Sequence, residues 1–125
     1  MTTAPLSPRQ QANINRVFAM PFAELYPLYV TKVQRKNRSE AELRTVLSWL
    51  TDLDGSQLDQ AITSGESLQE FFDRVTVHPN VVLITGSVCG VKVQEVEDPL
   101  MRNIRYMDKL VDELAQGKDV ERILR

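Results

Sequence analysis

Apolar residues recur along this chain at spacings of three and four, and most runs open on a residue that can cap a helix. Ser39-x-x-Glu42 stands before Leu43, Val46, Leu47 and Leu50. Asp54-x-x-Gln57 stands before Leu58, Ala61 and Ile62, with Gly65 closing the run. Ser67-x-x-Glu70 frames Leu68, Phe71, Phe72 and Val75, with Pro79 as the stop. In each case a short side chain can accept from the first free N–H groups of a helix, and the acid or amide three residues on can answer it. The apolar set behind each cap has the 3.6-residue period of a helix with one buried face.

Phe22, Leu25, Tyr29 and Val33, with Leu28 beside them, predict another helix from Phe22 to Lys36. Pro27 fits only in its first turn; further in it removes a hydrogen bond and kinks the helix. Lys32, Arg35 and Lys36 crowd the last turn, where the helix dipole favours cations. Asp98 and Pro99 mark a cap and first position for a helix facing Leu100, Ile104, Met107, Val111 and Leu114 inward, with Leu110 beside them. Arg105/Asp108 and Lys109/Glu113 are neighbours on its outer face. Gly117 ends it, and Asp119 starts a final turn holding Val120, Ile123 and Leu124.

Residues 80–97 fit two patterns. The β-branched run Val81-Val82-Leu83-Ile84-Thr85 and the step Gly86-Ser87 suit a hairpin. Helical spacing suits them better. Leu83, Ile84, Val88 and Val91 make one stripe; Val82, Gly86, Cys89, Val93 and Val96 make a second. The favoured reading is a buried helix over Val82–Glu95, packed on a neighbour through Gly86 and Gly90, with Cys89 buried and structural. The expected fold is mainly α, a compact bundle of six or seven short helices. The alternative is α+β, with a hairpin at 81–96. Residues 1–13, rich in Thr, Pro and Gln, read as a flexible leader, followed by an extended or turn segment at Arg16–Pro21 and a single domain over 14–125.

Composition narrows the function classes. The 125 residues, 42% hydrophobic and 26% charged, suit one soluble globular domain. No apolar run approaches the ~20 residues that span a bilayer, and the first eleven residues lack the apolar region of a secretory signal. A single cysteine makes no internal disulfide, which favours a reducing, cytoplasmic setting. Charge is polarised: residues 1–50 carry seven Lys/Arg against three Asp/Glu, net +4, and residues 51–125 carry eight against fourteen, net -6. Charge complementarity within the chain or between copies accounts for that polarity more readily than an anionic ligand does, since the net charge is not strongly basic.

Chemistry-bearing residues are sparse. His78 and Cys89 are the sole histidine and cysteine, and nothing in their spacing joins them. His78 before Pro79 reads as a helix-terminal residue. A zinc site needs three or four ligands. Asp52-Leu53-Asp54-Gly55 lacks the glycine and glutamate positions of a calcium loop. Gly86-x-x-x-Gly90 is no nucleotide fingerprint. No catalytic, cofactor or metal residue is therefore expected.

Two candidate surfaces remain. Lys32, Arg35, Lys36 and Arg38, with Tyr26 and Tyr29 one or two turns earlier, could meet an anionic partner. A solvated helix end with core tyrosines is the simpler reading, and the acidic second half disfavours nucleic acid. Tyr26, Tyr29, Thr85 and Cys89 are the candidate lining of a ligand pocket. The favoured function is a non-enzymatic interaction or binding protein, self-associating as a dimer. The alternative is a small enzyme or ligand-binding domain at that pocket.

The segments Leu25-Tyr26-Pro27-Leu28-Tyr29-Val30, Trp49-Leu50-Thr51, Phe71-Phe72, Ile84-Thr85-Gly86-x-x-Cys89-Gly90 and Glu97-Asp98-Pro99-Leu100-Met101 through Leu114 occur here in order. Together they resemble the uncharacterised bacterial domain-of-unknown-function family 2200, from about Arg16 to Arg125. The family pattern often has Gly at the position of Asp52 and Asn at that of His78, so neither is taken as a family site. The resemblance implies a small, stand-alone, soluble bacterial protein. It implies no reaction and transfers no catalytic residue.

Overall fold

The computed structural model describes residues 6–125. Seven α-helices run in order: α1 (Pro8–Ala19), α2 (Phe22–Gln34), α3 (Glu40–Thr51), α4 (Gly55–Thr63), α5 (Leu68–Arg74), α6 (Pro99–Ala115) and α7 (Val120–Ile123). Between α5 and α6 lie a 3-10 turn (Pro79–Leu83), strands β1 (Ser87–Val88) and β2 (Val91–Lys92), and a second 3-10 turn (Val93–Glu95). The domain is mainly α, with one two-stranded antiparallel sheet in the register Ser87↔Lys92, Val88↔Val91.

The capping boxes set the helix starts. Ser39/Glu42, Asp54/Gln57 and Ser67/Glu70 all close in both directions. Asp98 caps α6 through the N–H of Met101, with Pro99 first in the helix. The amphipathic α6 runs through the centre and touches α2, α3, α5, α7, β1 and the second 3-10 turn. Ile104, Met107, Leu110, Val111 and Leu114 are sealed from solvent, facing Leu43, Leu47 and Leu50 of α3 and Val33 of α2 in one apolar core. Phe22 and Phe71 stack at 4.4 Å between α2 and α5. Their helix starts are tied by Phe22 N–H to Glu66 O and Leu68 N–H to Met20 O. Pro27 lies inside α2, past its first turn, so one backbone hydrogen bond is lost there.

The structure overturns the helix expected over Val82–Glu95. The hairpin alternative forms instead, shorter than 81–96. Cys89 (φ 52°) and Gly90 (φ 77°) are its two turn residues. Positive φ at both central positions matches the right-handed twist of the strands, which is what a two-residue hairpin loop demands. Gly90 therefore serves the turn, not helix packing, since a Cβ there would meet nothing within 4 Å, whereas a Cβ on Gly86 (φ 107°) would press on the Lys109 side chain of α6 at 3.2 Å. Cys89 is exposed, contrary to the expectation of a buried residue. Ile84, Val88 and Val93 supply the apolar contacts of this segment, while Val82 and Leu83 face solvent.

Smaller corrections follow the same logic. Residues 8–19 form a helix, where the pattern suggested a leader and then a turn segment. Ser7 and Gln10 close a fourth capping box at its start, and Pro8 occupies its first turn. Residues 1–5 of the expected leader lie outside the described residues. Helix α5 ends at Arg74, and Pro79 opens a 3-10 turn instead of stopping α5. His78 caps that turn, accepting the N–H of Asn80, and stacks on Trp49 at 4.2 Å. Arg105 pairs with Asp108 as expected. Lys109 does not pair with Glu113; it reaches the carbonyl of Ser87 at 3.1 Å.

Candidate functional site

Helix α1 buries none of its residues fully, yet Val17 and Phe18 pack on the core. Between α1 and the start of α6 it leaves a cleft of about 310 Å³. Leu6, Ile14 and Phe18 form one wall; Val96 and Met101 form the other. Gln11, Glu97 and Asp98 supply the polar part of its lining. Phe18 and Asp98 also border a second cleft, where Phe72, Leu100 and Asp73 continue the surface toward α5. Among the described residues, no lysine or arginine lines either cleft. Arg102, in the first turn of α6, donates to the carbonyls of Val96 and Glu97 and so holds the approach to α6 in shape. The result is an apolar groove with an acidic border.

Sequence reasoning missed this groove. Its α1 wall was legible: Ser7-Pro8-Arg9-Gln10 is the same capping signal as the three recognised ones, and Ile14, Val17 and Phe18 follow at helical spacing. Its α6 wall was legible too. Their juxtaposition was not.

The predicted basic cluster is divided by the fold. Arg38 is drawn into the structure, donating to Glu42 and to the carbonyls of Leu114 and Lys118, so it joins the start of α3 to the end of α6. Those donations, with the N–H of Ser39, bring the Glu42 carboxyl down to about 2. Lys32 pairs with Asp112 at 3.2 Å but stays 43% exposed. Arg35 and Lys36 are exposed at the end of α2. Leu28, expected beside the inward face, is 61% exposed instead. It lies one turn before Lys32 and two before Arg35, so the three share an outer stripe of α2.

The four candidate pocket residues separate by exposure. Thr85 and Cys89 face solvent, while Tyr26 and Tyr29 are buried. The Tyr26 hydroxyl donates to Glu40 at 2.5 Å, and burial together with that carboxylate pushes it to about 12. The Tyr29 hydroxyl donates to Asp108, and burial raises it well above its ordinary value. None of the four lines any of the clefts above. Glu113 and Asp108 are both engaged within the fold, Glu113 by Arg125 and Lys118 and Asp108 by Tyr29 and Arg105. Among the described residues no helix is long and apolar enough to cross a membrane.

Comparison with known proteins extends these observations. A family model described as an uncharacterized protein conserved in bacteria (DUF2200) matches residues 16–125. The crystal structure of the uncharacterized protein SP1917 is similar to this one, with a TM-score of 0.82 and 36% identity. The match covers 87% of this chain and 90% of that chain. No curated protein matches.

Proposed function

From the premise that this chain belongs to the DUF2200 family of uncharacterized proteins conserved in bacteria, we propose that it is a non-enzymatic protein-interaction module. The α1/α6 groove is its docking surface, and self-association lies within its scope. The observation that carries the reading is the groove itself: an apolar floor of Ile14, Phe18, Val96 and Met101 beside Glu97 and Asp98. Apolar residues at the centre of a contact drive association, and charges at its border select the partner. A partner for this groove presents an apolar side chain with cations one or two helical turns away.

The alternative of a small enzyme or ligand domain at Tyr26, Tyr29, Thr85 and Cys89 has less support. A ligand site needs polar groups that converge on open space, and both tyrosine hydroxyls already serve carboxylates of the fold. An exposed thiol at Cys89 is compatible with the cytoplasmic location that forms part of this proposal.

Site-specific photocrosslinking tests the reading. A benzophenone amino acid replaces Ile14 in the groove or, as control, the exposed Ser56 of α4, in the native bacterium. Protein adducts that form at position 14 and not at 56 support a docking groove. Equal adducts at both positions, or none at 14, overturn it.

A further inference from the structure

We infer that the occupant of the α1/α6 groove is a second copy of this chain, inserting the outer stripe of α2: Leu28, Lys32 and Arg35. The inference rests on the groove reading above and names its partner.

Complementarity of charge and shape carries it. The groove and the adjoining cleft bring Asp98 and Asp73 to one apolar surface, with no lysine or arginine among the described residues that line them. The stripe on α2 is its converse. Leu28 is 61% exposed, a large cost in water for a side chain on a helix whose other large apolar residues are buried or half-buried. Lys32 follows one turn later, shared with Asp112 but still 43% exposed. Arg35 follows after a second turn, exposed and engaged in no ion pair among the described residues, with Lys36 next to it. An apolar knob with cations beside it fits an apolar groove with carboxylates beside it.

The two surfaces do not overlap on one molecule. Tyr29 meets Asp108 and Lys32 meets Asp112, so α2 and α6 run side by side in the same direction. The groove sits at Met101, near the start of α6, and the stripe lies alongside its second half. At 1.5 Å per residue the distance from Met101 to Asp112 is about 16 Å along the helix. A two-fold axis between two copies can therefore place each stripe in the other's groove. Making the contact twice closes a dimer; making it once per molecule would grow an open filament.

The test is sedimentation velocity of the full chain across the micromolar range, with helicity checked for every variant. The wild-type protein sediments at twice its 14.3 kDa chain mass. Leu28→Glu/Arg35→Glu weakens association about tenfold or more, and so does Ile14→Glu. All three positions are incompletely buried, so the variants fold. Mixing the two variants restores a complex, because each supplies the surface the other lacks. Association also weakens as salt is raised, through screening of the border charges. A wild-type monomer at all concentrations overturns the inference, and the groove reading then stands or falls on its own crosslinks at position 14. A dimer broken by Ile14→Glu but indifferent to Leu28→Glu/Arg35→Glu also overturns it and leaves the groove with another occupant. A dimer indifferent to Ile14→Glu shows that copies meet elsewhere.

Discussion

The phenolic hydroxyl of Tyr29 donates to Oδ1 of Asp108 across 2.5 Å, joining α2 to α6 between residues 79 positions apart. Arg105 takes the other carboxylate oxygen at 3.2 Å. Burial pushes the Asp108 carboxyl above its ordinary value, while Tyr29 and Arg105 pull against that rise. Burial and the same carboxylate push the Tyr29 phenol up. The pair therefore holds its proton on the tyrosine and its charge on the aspartate, inside the helix interface.

Tyr29→Phe leaves Asp108 with Arg105 alone. We expect a loss of about 1–3 kcal/mol, the cost of removing one partner from a buried acceptor, measured by urea unfolding at neutral pH. An unchanged midpoint would show that water replaces the hydroxyl.

Alkali acts through the same groups. Tyr26 titrates at about 12 and Tyr29 well above its ordinary 10.0 in the folded chain, against about 10 when unfolded. Both folded values are raised, so their contribution is complete below pH ~10 and disappears as pH rises through the folded values. Stability should fall between pH ~10 and 12, and the fall should be shallower in Tyr26→Phe. A flat profile over that interval counts against the buried tyrosines.

Acid acts through Glu113. Burial raises its carboxyl, but the hydrogen bonds and charge of Arg125, aided by Lys118, outweigh burial and leave it below 4.5. A lowered folded value means that the stabilisation is present above pH 4.5 and lost as pH falls through the folded value. Asp108, raised in the folded state, contributes with the opposite sign. Glu113→Gln should cost about 3 kcal/mol at pH 7, as for one partner removed from a buried pair. The difference from wild type should narrow toward acid; a constant difference would mean that packing, not charge, carries the effect.

The hairpin turn separates strain from crowding. Gly90 has φ 77° and no neighbour that an added Cβ would meet, so Gly90→Ala and Gly90→Leu should cost about the same, roughly 1–2 kcal/mol. A much larger loss for leucine would restore the close packing that the sequence suggested. Cys89, exposed beside it at φ 52°, should react with a thiol reagent in the native protein as fast as in the unfolded one. Cys89→Asn should be tolerated, since Asn-Gly is the preferred pair for this turn.

Asp52 closes α3 in the left-handed conformation, with φ 58°. Asp52→Gly should stabilise by about 0.5–1 kcal/mol, because glycine alone adopts that conformation without a Cβ clash. Thermal unfolding of the single variant measures it, and a decrease in midpoint would mean that the Asp52 side chain carries a compensating contact.

Helix starts were legible in the chain because a capping box closes within four residues. Ser39/Glu42, Asp54/Gln57 and Ser67/Glu70 needed nothing distant to form, and Ser7/Gln10 carried the same signal. The inward face of α6 was legible because helical spacing alone places Ile104, Met107, Val111 and Leu114 together. Residues 82–95 were not, because valines, glycines and a cysteine satisfy both periods. The choice fell to contacts from afar and across the turn, with Lys109 reaching the Ser87 carbonyl and Gln94 accepting the Gly86 N–H. Arg38 read as a free cation until the end of α6 brought two carbonyls to it. The groove belongs to the same class: Ile14 and Met101 become its two walls only when the core brings opposite ends of the chain together. Local hydrogen bonds are written in neighbouring residues, whereas a surface shared by distant helices exists only once burial of the core has decided which faces meet.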